Sequence, residues 1–281
     1  MPVVRIDGPD DPRAAAFRDV ADDARLRQRG LFVAEGRLVV ERLIGDRRFE
    51  LRSLLLNGSA SRALEAAVLQ LGEDVTALVC ESPDFKALTG YNIHRGCLAL
   101  ASRPAPTPLE DILSSARLLL VLEGVSNADN VGGIFRNAAA FGVGGVVLSY
   151  GCADPLYRKS IRTSMAATLR VPFCSLVASD GWPDALARIR ASGFQILALT
   201  PAVSAQGLDD FVRSSHCERI ALLLGAEGAG LSRMSEAAAD VHVRIPIRRD
   251  VDSLNVAVAA GIALHRLAPR ISEPPSRQQQ E

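Results

Sequence analysis

Three short stretches carry residue types that could do chemistry. The first, SNADNVGGIFRNAAAFG, runs from Ser126 to Gly142. It gathers amides and glycines, then sets Arg136 among Phe135, Ala138, Ala139 and Phe141. A charge in such apolar company needs a partner or a ligand. A helix start bearing amides and an arginine suits an anion or a ribose. The second stretch, LLLGAEGAGLS from Leu222 to Ser232, spaces its glycines as G-x-x-G-x-G with no Lys-Ser/Thr after them. It is therefore neither a dinucleotide fingerprint nor a P-loop. Glu227 between the glycines opposes phosphate and favours a cationic or hydroxyl-bearing ligand. In the third, a strand ends at Ile245–Pro246 and a polar loop leads to a helix expected from Asp252 or Ser253. Ser253 suits an N-cap. Asn255, on the first turn, is not explained by capping alone.

The elements that must position these loops are legible as apolar runs. RLLLVLEG, GGVVLSY, FQILALT and RIALLLGAEG show no polar alternation. Strands buried on both faces belong to a parallel sheet covered by helices. Helices are expected at 130–141, 158–168, 181–192, 232–238 and 253–267. Each loop follows a strand, and ligands of such sheets bind outside the strands' carboxyl ends. Upstream, SRPAPTPL alternates prolines with other residues, which suits an extended spacer. Before it, EGRLVVERLIGD and ASRALEAAVLQLG read as helices, and LRSLLLNG, VTALVCE and CLALAS as strands. The expected organisation is a small α/β domain over 1–104, a Pro-rich linker at 105–114, an α/β domain with a parallel sheet over 115–268, and a disordered tail at 269–281.

Composition sets outer bounds. The chain has 281 residues, 48% hydrophobic and 23% charged, with zero formal net charge. A nucleic-acid binder is often basic overall, so zero charge counts weakly against that role. Only Lys86 and Lys159 are lysines; all other basic residues are arginines, so an anion site would use planar, bidentate donors. The five cysteines lack zinc spacing and read as free thiols packed as small apolar side chains. The four histidines are scattered, so no metal is expected, and His265 reads as structural. The sequence shows neither a membrane-length apolar run nor a signal peptide, which leads to a cytoplasmic expectation.

Taken together and in order, the three loops resemble the motifs of the SpoU–TrmH branch of the SPOUT-class RNA 2′-O-ribose methyltransferases. The matching residues are Asn127, Asn130, Gly132 and Arg136; Gly225, Glu227, Gly230, Leu231 and Ser232; and Ile245–Pro246 with Ser253-Leu254-Asn255-Val256. The resemblance spans roughly 115–267. GLFVAEGRLVVERLI and NIHRGCLALA resemble, less specifically, the RNA substrate-binding domain that often precedes it. The resemblance implies a deep trefoil knot, a homodimer and S-adenosylmethionine as methyl donor. It implies a cofactor held by Leu199, Thr200, Gly225, Ile245, Leu254 and Asn255, and a catalytic set of Arg136, Asn130, Glu227, Ser253 and Asn255. The implied substrate is structured RNA, ribosomal RNA ahead of transfer RNA. The competing readings are a non-catalytic RNA-binding protein and an unrelated nucleotide-binding α/β enzyme.

Overall fold

The computed structural model describes residues 3–272 other than 19, 47, 73, 92, 94, 95 and 249. The chain forms two compact units. One comprises Met1–Ala105 and Pro155–Leu169; the other comprises Pro106–Asp154 and Arg170–Glu281.

The smaller unit holds a five-stranded mixed sheet. Its strands are β1 (Val3–Arg5), β2 (Leu31–Glu35), β3 (Leu51–Asn57), β4 (Thr76–Cys80) and β5 (Cys97–Ser102), in the order β1-β4-β3-β5-β2. β5 runs antiparallel to both neighbours, and the other pairs are parallel. Phe17, Leu26, Leu55, Leu78, Phe85 and Leu98 fill the core on one side. The expected helix over ASRALEAAVLQLG is instead two short ones, Gly58–Ala63 and Glu65–Val68, with Asn57 capping the first through Ala60 N. Burial pushes the Cys80 and Cys97 thiols up to about 12, as expected of thiols packed as apolar groups.

A buried ion pair fastens the 155–169 stretch within this unit. Glu35, at the end of β2, has a side chain with no exposure and accepts a hydrogen bond from Arg158 Nη1 at 2.7 Å. Arg162 lies 3.8 Å from the same carboxylate. The Arg158 guanidinium stacks over the Tyr91 ring, 4.0 Å from its centroid. An aromatic face on one side and a carboxylate on the other compensate the cation's partial burial.

The larger unit holds a seven-stranded sheet, and every neighbouring pair in it is parallel. Its strands are β6 (Leu118–Leu122), β7 (Gly145–Leu148), β8 (Phe173–Ser175), β9 (Gln195–Leu199), β10 (Gln206–Gly207), β11 (Ile220–Leu224) and β12 (Val241–Arg244), in the order β10-β12-β9-β11-β6-β7-β8. β6 and β11, at the centre, are buried at every position. The chain therefore crosses from one side of β6 to the other, the kind of switch that opens a crevice at the strands' carboxyl ends.

Several boundaries differ from the sequence expectation. Within the stretch read as linker, Leu109–Ser115 is a helix, and Leu109, Ile112 and Leu113 are core residues. Pro108 precedes this helix, so the prolines end at its N-cap. The last helix is Val256–Ser272, so 269–272 are helical where a tail was expected; the rest of that tail, 273–281, lies outside the described residues. His265 is exposed at the surface, its ring beside Phe141.

Glu35→Ala should destabilise the smaller unit by about 2 kcal/mol, because a half-buried guanidinium loses its charged partner. Denaturant unfolding measures this. Replacing both partners by methionine should recover most of the loss. A Glu35→Ala protein as stable as the parent would show that the pair holds nothing in place.

Candidate active site

The site follows from strand register. β6 and β11 pair from Leu118 with Ile220 to Leu122 with Leu224, so the two strands end level. Glu123 N donates to Leu224 O at 2.8 Å just beyond them. The loops after β6, β9, β11 and β12 therefore leave from one edge.

After β11 the chain folds back on itself. Gly230 N donates to Ala226 O at 2.9 Å, and Gly228 and Gly230 take φ of +81° and +68°. Those angles favour glycine. Gly225 is needed for a second reason: a Cβ there would lie 2.3 Å from the Gly230 carbonyl carbon. The loop then ends at Ser232, which caps the helix Arg233–Ala238 by accepting from Ser235 N. Glu123 secures that end. Its carboxylate accepts from Ser232 N at 2.9 Å and from Ser232 Oγ at 2.7 Å. Sequence reasoning missed Glu123; the available signal was an acid placed directly after a fully apolar strand.

The opening loop begins its helix earlier than expected. Asn127 is the N-cap, accepting from Asp129 N at 2.8 Å, and the helix spans Ala128–Ala140. Asn130 is therefore inside the first turn and buried. This helix packs closely on Val256–Ser272. A Cβ on Gly133 would sit 2.9 Å from the Ala257 Cβ, and Asn137 Nδ2 donates to Ala257 O at 2.7 Å.

The third loop supplies the link. Its helix starts at Val256, later than expected, and Asn255 caps it in place of Ser253. Asn255 Oδ1 accepts from Ala257 N at 3.0 Å and Val258 N at 3.2 Å. The same side chain's Nδ2 donates to Asn130 Oδ1 at 2.8 Å and to Glu227 Oε1 at 2.7 Å. One amide thus joins all three loops.

Beside this cluster lies a cavity of about 640 Å³. Leu199, Thr200, Gly225, Ile245 and Leu254 all line it, together with Glu227 and Ser253. Asn255 is not part of its wall; it reaches the cavity through Glu227. Asn130 does so only through Asn255. The remaining walls include the glycine loop, Leu224 and Ile247, with Glu236 and Asp252 as further acids. The described lining holds no basic side chain. Such a wall suits an uncharged ring and a cationic centre, and it disfavours phosphates. Among the described residues, no cluster of His, Cys, Asp and Glu could hold a metal ion, and no helix is long and apolar enough to cross a membrane.

Arg136 stands apart. It is exposed and makes no hydrogen bond or ion pair among the described residues. Six residues separate it from Asn130, about 9 Å along the helix and about 240° around it. The chain therefore does not bring Arg136 onto the Asn130 face.

The fold of this chain and the sequence of its larger unit have counterparts among known proteins. The chain belongs to the SpoU rRNA methylase family, which it matches over residues 117–265. It is 40% identical over 261 residues to an uncharacterized tRNA/rRNA methyltransferase of Mycobacterium tuberculosis, covering 92% of this chain and 88% of the relative. It is 28% identical over 270 residues to the 23S rRNA (adenosine(1067)-2′-O)-methyltransferase of Streptomyces azureus, covering 94% and 96%. It shares its fold with the AdoMet-bound rRNA methyltransferase of Sinorhizobium meliloti, at a TM-score of 0.76 and 24% identity over 97% and 99% of the two chains.

Glu123→Ala should free the end of the glycine loop. Amide exchange at 225–232 should speed up about tenfold, the scale of a lost hydrogen bond to a charged group. Unchanged exchange at Ser232 would mean that Glu123 does not hold the loop.

Proposed function

We propose that this protein transfers the methyl group of S-adenosylmethionine to a ribose 2′-hydroxyl of structured RNA, with ribosomal RNA as the substrate and transfer RNA as the second choice. The observation that carries this reading is the Asn255 amide. It fixes Asn130 and Glu227 beside a cavity with apolar and acidic walls. The likeness to a 23S rRNA methyltransferase along nearly the whole chain favours ribosomal RNA.

The cofactor supplies an activated methyl group, so the reaction needs no metal. The new bond forms between the ribose oxygen and the methyl carbon. The carbon–sulfur bond breaks with its electron pair passing to sulfur, and the hydroxyl proton goes to solvent. This chain's task is alignment. Leu199, Leu224, Ile245 and Leu254 would give an apolar wall to the adenine, beside the glycine loop. Glu227 and Ser253 offer polar groups toward the ribose, and Asn255 with Asn130 behind it holds Glu227 in place.

Arg136 is exposed and makes no hydrogen bond or ion pair among the described residues, which supports a site completed by a second copy. We propose a homodimer in which Arg136 of one protomer serves the cavity of the other. The C-terminal segment would pass through a trefoil knot, which the family resemblance implies. The smaller unit would bind the RNA. The five free cysteines fit a reducing, cytoplasmic setting.

Mapping ribose methylation in RNA from cells with and without the gene tests the activity. One 2′-O-methyl mark in ribosomal RNA should disappear on deletion and return with the wild-type chain. No change in any RNA, with the purified protein inactive on it, would leave only RNA binding.

Arg136 has two conceivable roles, a general base or a clamp on RNA phosphate. Arginine keeps its proton in proteins, so Arg136 acts as the clamp. Arg136→Lys keeps the charge but loses the planar fork. Single-turnover methylation should fall about a hundredfold or more, with the shape of its pH profile unchanged. A near-native rate whose profile moves to lower pH would identify a base instead.

A further inference from the structure

We propose that Glu236 and Asp252 make the cavity selective for charge, favouring S-adenosylmethionine over its product S-adenosylhomocysteine. This rests on the cofactor reading given above. Three carboxylates line the cavity: Glu227, Glu236 and Asp252. Glu227 is committed to Asn255. Glu236 and Asp252 make no ion pair or side-chain hydrogen bond among the described residues. Arg248 on the adjoining loop does not offset them, because it is held in a two-pronged pair with Asp250, both contacts at 2.9 Å. Among the described residues, the lining thus presents carboxylates and no basic side chain.

Glu236 is also well placed mechanically. It stands one turn after Ser232, with its N–H donating to Ser232 O at 2.9 Å, and Ser232 is the residue that Glu123 grips. It is half-buried, where a charge is less screened than on the open surface.

S-adenosylmethionine carries a sulfonium, an ammonium and a carboxylate, for one net positive charge. S-adenosylhomocysteine has lost the sulfonium charge and is neutral overall. The two ligands differ only by the methyl group and its charge, so the difference in their attraction to these carboxylates is set by that single charge. Methyl transfer removes the charge, and with it the attraction that these two acids supply. The neutral product then leaves more readily and the cationic donor replaces it.

Calorimetry on the full-length protein without RNA tests the proposal with S-adenosylmethionine and S-adenosylhomocysteine as separate titrants. The unaltered protein should bind the methylated ligand more tightly, and added salt should shrink the preference. Glu236→Gln and Asp252→Asn should each reduce the preference about fivefold, the scale of a partly exposed ion pair. The reduction should come from weaker S-adenosylmethionine binding, with S-adenosylhomocysteine affinity unchanged. Equal losses for both ligands would assign these residues to cavity shape, and an unchanged ratio would remove them from cofactor choice; either overturns the proposal. An unaltered protein that binds neither ligand would overturn the cofactor reading itself.

Discussion

The hydrogen-bonding capacity of one side-chain amide, that of Asn255, sets the geometry of the site. Asn255 has two donors and an acceptor with two lone pairs. All four are used: Ala257 N and Val258 N on the acceptor, Asn130 Oδ1 and Glu227 Oε1 on the donors. Few other residues can do this. Aspartate keeps the acceptors and loses the donors, glutamine adds a methylene, and serine is too short to reach two loops. The last helix can start only where the other two loops present their oxygen atoms.

The rest of the larger unit holds those oxygen atoms still. The level ends of β6 and β11 set the height of the opening loop and the glycine loop. Close packing of Gly133 on Ala257, with the Asn137 contact to the Ala257 carbonyl, fixes the helix bearing Asn130 against the helix that Asn255 caps. Glu123 closes the far end of the glycine loop through Ser232. Backbone proximity, small residues and a few charge-assisted hydrogen bonds thus produce the cavity, with its walls left apolar and acidic.

How much of this could be read from the sequence depended on the strength of each local signal. The long apolar runs of β6, β7, β9 and β11 announced a parallel sheet, because burial on both faces leaves no polar alternation. β8 has three residues and β10 two, too few to show any period. The helix Leu109–Ser115 was masked by the prolines before it, although its Leu109, Ile112 and Leu113 have helical spacing. Cap assignments shifted because several residues in each loop could cap, and tertiary partners decided among them. Asn255 outcompeted Ser253 because only an amide could also serve Asn130 and Glu227. Glu123 stayed hidden because its partner lies more than a hundred residues away. The place of the 155–169 stretch likewise depends on a distant residue, Glu35.

The most direct test is Asn255→Asp, measured for thermal unfolding and single-turnover RNA methylation on the same preparation. The carboxylate still accepts from Ala257 N and Val258 N, so the helix cap survives and the unfolding temperature should move by only a few degrees. The two donated hydrogen bonds are lost, and a second carboxylate faces Glu227. Methylation should therefore fall about a hundredfold or more while the protein stays folded. A folded variant that methylates at close to the native rate would contradict the claim that this amide assembles the site.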